Sequence, residues 1–202
     1  MKVLVHDLDE VLQRVADTAR DVLNARYAAL GVLAADGQSL ARFVTSGLSD
    51  SQRSAIGALP RGRGLLGLLI TEPRPLRIDS IADDHRAVGF PPNHPRMESF
   101  LGVPISVGSI VFGNLYVADR RDGPFTADDE LVALTLAAQA AVAIGNANRY
   151  SEQEQSALSA SRERERATAD GWRRAIEAQE AERARIAREL HDEAGQELTA
   201  LA

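Results

Sequence analysis

Apolar residues along this chain fall first into a helical rhythm and then into strands. In "LDEVLQRVADTARDVLNA" (8–25), Leu8, Val11, Leu12, Val15, Ala19, Val22 and Leu23 recur at the spacing of one helix face, so that face is expected to pack on a core. "YAALGVLAAD" and "SLARFVTSG" flank "DGQ" and predict a β-hairpin. A short helix is expected at 51–58 and another at Leu65–Ile70, after which Pro73 and Pro75 force an extended run to Ile78. The Pro-rich stretch "GFPPNHPRM" reads as a loop. It leads into two strands, "SFLGVPISV" and "SIVFGNLYVAD", which turn at "GS".

From Thr126 the rhythm becomes helical again and stays so. "FTADDE" places Thr126 as N-cap with Asp129 three residues on, the spacing of a capping box, with further acids favouring the helix N-terminus. Beyond Tyr150 the pattern turns strongly polar, "SEQEQSALSASRERERATADGWRRAIEAQEAERARIARE", which cannot bury a core on its own. Glu–Arg pairs at i,i+3 and i,i+4 could hold it as a solvated single helix, but Ile176, Ile186, Leu190, Ala194, Leu198 and Leu201 form a sparse apolar seam, so a homodimeric coiled coil through this C-terminal helix is the favoured expectation, with Trp172 as an interface anchor. Asp170-Gly171 is the expected hinge, because glycine weakens a helix interior by about 1 kcal/mol. The pattern divides the chain into an α+β module at 6–150, a helical linker at 151–171, and a further helix at 172–202.

Composition narrows the classes of function. Of the 202 residues 45% are hydrophobic, enough for a core. The formal charge is −6 with bases and acids interleaved, which leaves no electrostatic footprint for nucleic acid. With no cysteine, disulfides and thiolate metal sites are excluded. The start has no apolar signal region, and "LVALTLAAQAAVAIG" is short and interrupted by Gln139, so the expectation is a cytoplasmic chain with no membrane partner. Asp83, Asp84 and His85 are adjacent, too close in sequence to converge on one ion, and read as an exposed turn; His6 is incidental. "GRGLLG" (62–67) follows Pro60 rather than a strand and reads as a turn and helix entry, not a phosphate loop.

Chemistry concentrates in "RIARELHDEAGQEL" (185–198). His191 falls on the flank of the apolar stripe, while Asp192 and Gln196, four apart, share an exposed face. A neutral imidazole there can attack a phosphoryl group, the adjacent carboxylate can orient it or accept its proton, and the amide can position water for the reverse hydrolysis.

The longer string "ERARIARELHDEAGQELTAL" resembles the phosphoacceptor helix of two-component sensor histidine kinases of the nitrate/nitrite-sensor type. That resemblance implies His191 as phosphoacceptor, Asp192 as general base, Asp192 with Gln196 as the phosphatase pair, and a response regulator receiver as partner. The family's second dimerisation helix and ATP-binding domain would lie beyond Ala202, so the expectation is a sensor-plus-acceptor fragment that meets ATP only through another domain.

The module in front resembles a GAF domain, a small-ligand sensor fold with a central antiparallel sheet; "ARYAALGVL", "GRGLLGLLI", "FLGVPISV", "VFGNLYVAD" and "FTADDE" occur in that family's order. Within that family "GFPPNHPRM…SFLGVPI…VFGNLY" is most similar to actinobacterial haem-containing oxygen and redox sensor kinases. This implies haem b as cofactor, with His94 as axial ligand and Tyr116 as distal residue, although Arg96 and Glu98 depart from the pattern. A cyclic-nucleotide reading rests on Phe125, Asp129 and Glu130 alone, which the capping box already explains. Two other functions stay open: a ligand-binding regulator without phosphotransfer, and a module that heterodimerises with complete kinases.

Overall fold

The structure, a computed structural model, describes the backbone of residues 2–57 and 64–200 and the side chains of 8–57 and 64–187. It opens with α1 (Lys2–Val22), whose apolar face carries Leu12, Val15 and Ala19 into the core, with Leu23 buried in the turn after it. The helix ends earlier than its periodicity suggests. Asn24 turns into the left-handed region at φ 48° and Ala25 begins β1, so the last apolar residues of the pattern belong to a turn and a strand.

Strands β1 (Ala25–Leu33) and β2 (Leu40–Ser46) form the expected hairpin. Helices α2 (Asp50–Ile56) and α3 (Leu65–Thr71) follow, then β3 (Leu76–Ile78) and a 3₁₀ turn at Ile81–Asp83. Strands β4 (Phe100–Val107) and β5 (Ile110–Arg120) complete one antiparallel sheet of order β2-β1-β5-β4-β3. Pro104 stands within β4 beyond the reach of β3, which pairs only with Phe100–Gly102, so no strand on that side requires its missing N–H.

The register sorts the sheet into two faces. Val44, Leu30, Leu115 and Val103 lie in one row across four strands and belong to the larger core. That core also takes in α1 and the start of α4 (Ala127–Ala200), through Ala133, Ala137, Ala140, Ala141 and Ile144. On the opposite face Leu65 and Leu69 of α3 meet Ile78, Ile81 and Phe100, with Tyr116 packed against them.

Two compact units result, Met1–Arg149 and Tyr150–Ala202. Helix α4 runs through Asp170-Gly171 without a break, contrary to the hinge expected there. Its neighbours compensate: Arg173 pairs with Asp170 at 3.4 Å, and Arg174 Nε donates to the Asp170 carbonyl at 3.2 Å. The same helix contains an 18-residue window of mean hydropathy 1.4, apolar and long enough by composition to cross a membrane. In this fold, however, part of that stretch is the inner face of α4, where Ala137, Ala140, Ala141 and Ile144 are buried.

Candidate functional site

Tyr116 is held on β5 by pairing with Ala29 of β1 and Gly102 of β4. Its ring stacks on Phe100 at 5.6 Å, and burial pushes its phenol well above the usual tyrosine range, so the group is a neutral hydroxyl. His94 lies in the loop, where its ring stacks on Phe90 at 5.1 Å and Nδ1 is 2.7 Å from the Pro95 carbonyl oxygen. With Nδ1–H donating to that carbonyl, Nε2 is the nitrogen left to accept or coordinate. The two residues therefore have separate partners, and no hydrogen bond or ring contact joins them among the described residues.

The donor chemistry at His94 suits an iron ligand. The packing beside Tyr116 does not suit a macrocycle: a Cβ built on Gly102 would lie 2.5 Å from Leu69 Cδ1 and 2.7 Å from the Phe100 ring, so α3 and β4 already fill the space there. A shallow cleft of about 80 Å³ beyond them is lined by Leu68, Leu69, Glu72, Arg74, Leu76 and Arg86. Haem as packed does not fit.

Of the three adjacent residues read as an exposed turn, Asp83 and His85 are exposed as expected, and Asp84 alone is held in place. Asp84 accepts from Arg86 Nε and Nη2 at 2.9 and 2.6 Å, its side chain is only 11% exposed, and the Arg86 bonds hold its carboxyl well below the usual range. No group of His, Asp and Glu able to hold a metal ion occurs among the described residues.

The segment after the His94 loop is tied to α4 through a joint that the sequence did not announce. Asp119 adopts φ 56°, and its Oδ1 accepts the Glu98 N–H at 2.6 Å while its own N–H donates to Ser99 O at 3.0 Å. Next along, Arg120 N–H donates to Ser99 Oγ at 3.2 Å, and Arg120 Nε faces Asp129 Oδ2 at 3.1 Å. That same Oδ2 accepts from Thr126 N and Oγ1 at 2.7 and 2.9 Å, completing the capping box expected at the start of α4. One carboxylate thus caps α4 and binds it to the end of β5. Only the cap was legible, since its spacing is local; the arginine partner depends on the left-handed turn at Asp119.

Helix α4 passes through His191, Asp192 and Gln196, whose side chains lie outside the described residues. Upstream on the same helix, Glu182 accepts from Arg185 Nη2 at 2.6 Å, which lowers its carboxyl pKa. Trp172, Ile176 and Ile186 are exposed at 69%, 53% and 44%, large apolar groups on an otherwise polar helix.

A family model described as GAF domain matches residues 5–145, and one described as histidine kinase matches 182–202. Among solved structures, the GAF domain of a phosphoenolpyruvate-protein phosphotransferase from Coxiella burnetii is 21% identical, covering 75% of this chain and 94% of that one at TM-score 0.61. The GAF-B domain of DevS from Mycobacterium smegmatis is 23% identical, with 73% and 98% covered at TM-score 0.51. A domain of a sensor histidine kinase protein, described as putative, from Sinorhizobium meliloti is 19% identical, with 73% and 96% covered at TM-score 0.52. At these identities the likeness establishes the fold.

Proposed function

The chain belongs to the GAF domain family, and from that premise we infer that it is the sensory and phosphoacceptor portion of a two-component sensor histidine kinase. One observation carries the reading: a single continuous helix, α4, begins in the core of the GAF domain and runs into the segment matched as histidine kinase. Segments of that kind imply dimerisation and a response regulator as partner. The exposed Trp172, Ile176 and Ile186 supply an apolar surface for the first.

In this reading His191 accepts the phosphoryl group from ATP held by a histidine-kinase catalytic domain. Asp192 takes the imidazole proton as the N–P bond forms, and Gln196 positions water against a receiver's acyl phosphate. A shift of α4 transmitted through Arg120 and Asp129 controls access to His191, provided that ligand binds two helix arrangements with different affinity. The roles separate in a reconstituted assay with a catalytic domain, ATP and a receiver. Asp192→Asn is expected to slow labelling of His191 by about a hundredfold or more. Gln196→Ala is expected to leave labelling intact and slow receiver dephosphorylation. Equal effects of both variants on both steps would refute the assignment.

A second reading, haem b as the sensed group, is favoured by one observation, the His94 Nδ1 contact to Pro95 O that leaves Nε2 for iron. Bound haem would supply an iron centre for a diatomic gas or for redox change, with Tyr116 on the distal side. Because Leu69 and Phe100 fill the space before Gly102, this reading requires α3 to move, and no step above is routed through iron. A Soret band after reconstitution that His94→Ala abolishes would establish it; no band in the wild type would eliminate it.

A further inference from the structure

The pair Asp-Gly occurs three times in the chain, at 36–37, 122–123 and 170–171. It is the pair most open to isomerisation of the aspartate, because glycine has no side chain to shield its N–H from the preceding carboxyl group. The reaction needs only water. The glycine nitrogen loses its proton as it bonds to the aspartate Cγ, the carboxyl C–O bond breaks, and water leaves. Water then reopens the five-membered imide. Opening at the former main-chain carbonyl leaves the chain running through Cβ, one methylene longer, with a new α-carboxylate and no net change in composition.

A Cβ built on any of the three glycines would meet nothing within 4 Å, so steric room does not choose among them. Hydrogen bonding does. At the first pair, Gly37 N–H donates to Ala34 O at 3.0 Å, and the Asp36 carboxylate accepts from Gln38 N, Ser39 N and Ser39 Oγ at 2.9, 2.9 and 2.7 Å. At the third, Gly171 lies inside α4, where its N–H belongs to the helical ladder, and Arg173 pairs with the Asp170 carboxylate at 3.4 Å. Asp122 and Gly123 instead stand exposed in the turn between β5 and α4. Among the described residues nothing accepts the Gly123 N–H, and the Asp122 carboxyl has one partner, Asn24 Nδ2 on Oδ2, which leaves Oδ1 open.

We propose that Asp122 is a site of spontaneous isomerisation to isoaspartate, and that the product loosens the attachment of α4 to β5. The consequence runs through Arg120. Its Nη1 donates to the main-chain carbonyl oxygen of Asp122 at 2.8 Å, while its Nε faces Asp129 Oδ2 at 3.1 Å. Isomerisation converts that carbonyl into a carboxylate. A neutral acceptor on the guanidinium becomes a charged one, and charge-assisted hydrogen bonds are roughly twice as strong, so the new carboxylate competes with Asp129 for Arg120. The modification depends on neither His191 nor a bound ligand.

The test is ageing of the whole chain in warm neutral buffer. Isoaspartate is measured by methyl transfer from a protein isoaspartyl methyltransferase and located by peptide mass spectrometry with electron-transfer fragmentation. It is expected at Asp122 about tenfold or more ahead of Asp36 and Asp170, whose hydrogen bonds must break first. Asp122→Glu is expected to abolish the label, since the longer side chain closes to a six-membered ring far more slowly. The aged form, separated by ion exchange, is expected to show severalfold faster amide hydrogen exchange at Thr126 and Asp129, the N–H groups of the α4 capping box. No isoaspartate, as much of it at Asp36 or Asp170 as at Asp122, a label that persists in Asp122→Glu, or unchanged exchange at the α4 cap in the aged form would each overturn the proposal.

Discussion

Asp129 shows how much one side chain can carry. Its Oδ2 accepts both Thr126 donors and faces Arg120, so removing it breaks the reciprocal half of the capping box and unties the helix from β5 together, while Thr126 Oγ1 still accepts the Asp129 N–H. Asp129→Ala is expected to lower unfolding stability by about 1 kcal/mol, the scale of a lost charge-assisted hydrogen bond with its ion pair, read as a shifted urea midpoint. Asp129→Asn, which keeps an acceptor, is expected to lose less. Asp36 gives a pH test. Backbone N–H groups of Ser39 and Gln38 donate to its carboxylate and depress its pKa from 3.8 to about 2. Its contribution is therefore complete above the unfolded pKa and is lost as pH falls through the folded value. A carboxyl NMR titration is expected to give a midpoint near 2 for Asp36, and an ordinary midpoint would contradict the hydrogen-bonded turn. The capping box at Thr126 was readable because three residues of spacing define it. The unpartnered Thr45 hydroxyl was not, since its surroundings come from β1 and β5, far away in sequence.

Among the elements, both hairpins were visible in the pattern because a period of two and a glycine turn suffice to fix them. Helix α1 ran short of its pattern because periodicity does not register the left-handed Asn24 that ends it. Strand β4 is buried along Phe100–Ile105 on both faces, so hydropathy alone could not say which residues meet α4 and which meet α3; only the register does. Gly102 is the residue on which that second face depends. Gly102→Ala drives a methyl into Leu69 and Phe100 and is expected to cost about 1–3 kcal/mol through overpacking, measured by chemical denaturation. The hinge expected at Gly171 failed for a physical reason: a cost of about 1 kcal/mol is small beside the continuous hydrogen-bond ladder and the Asp170 pairings around it. Gly171→Ala is accordingly expected to stabilise α4 by about that amount, seen as a higher melting temperature of the helical circular dichroism signal.

At the scale of the whole molecule, a GAF domain and a histidine-kinase segment share one helix. The fold and its order of elements were legible in the sequence. Which strand residues face α3 and which face α1 was not, because only the register sorts them. The chain's own surface bears on assembly: Trp172→Glu together with Ile176→Glu is expected to weaken self-association by about tenfold or more in sedimentation experiments, since both side chains are exposed apolar groups on a polar helix. The reading as a whole stands on His191 as the residue that receives phosphate. Incubation of the intact chain with a histidine-kinase ATP-binding domain and radiolabelled ATP, followed by a chase with a receiver, addresses it directly. The expected result is an acid-labile, base-stable label that is absent in His191→Ala and passes to the receiver. A wild-type chain that takes up no label, or a label that persists in His191→Ala, would contradict it.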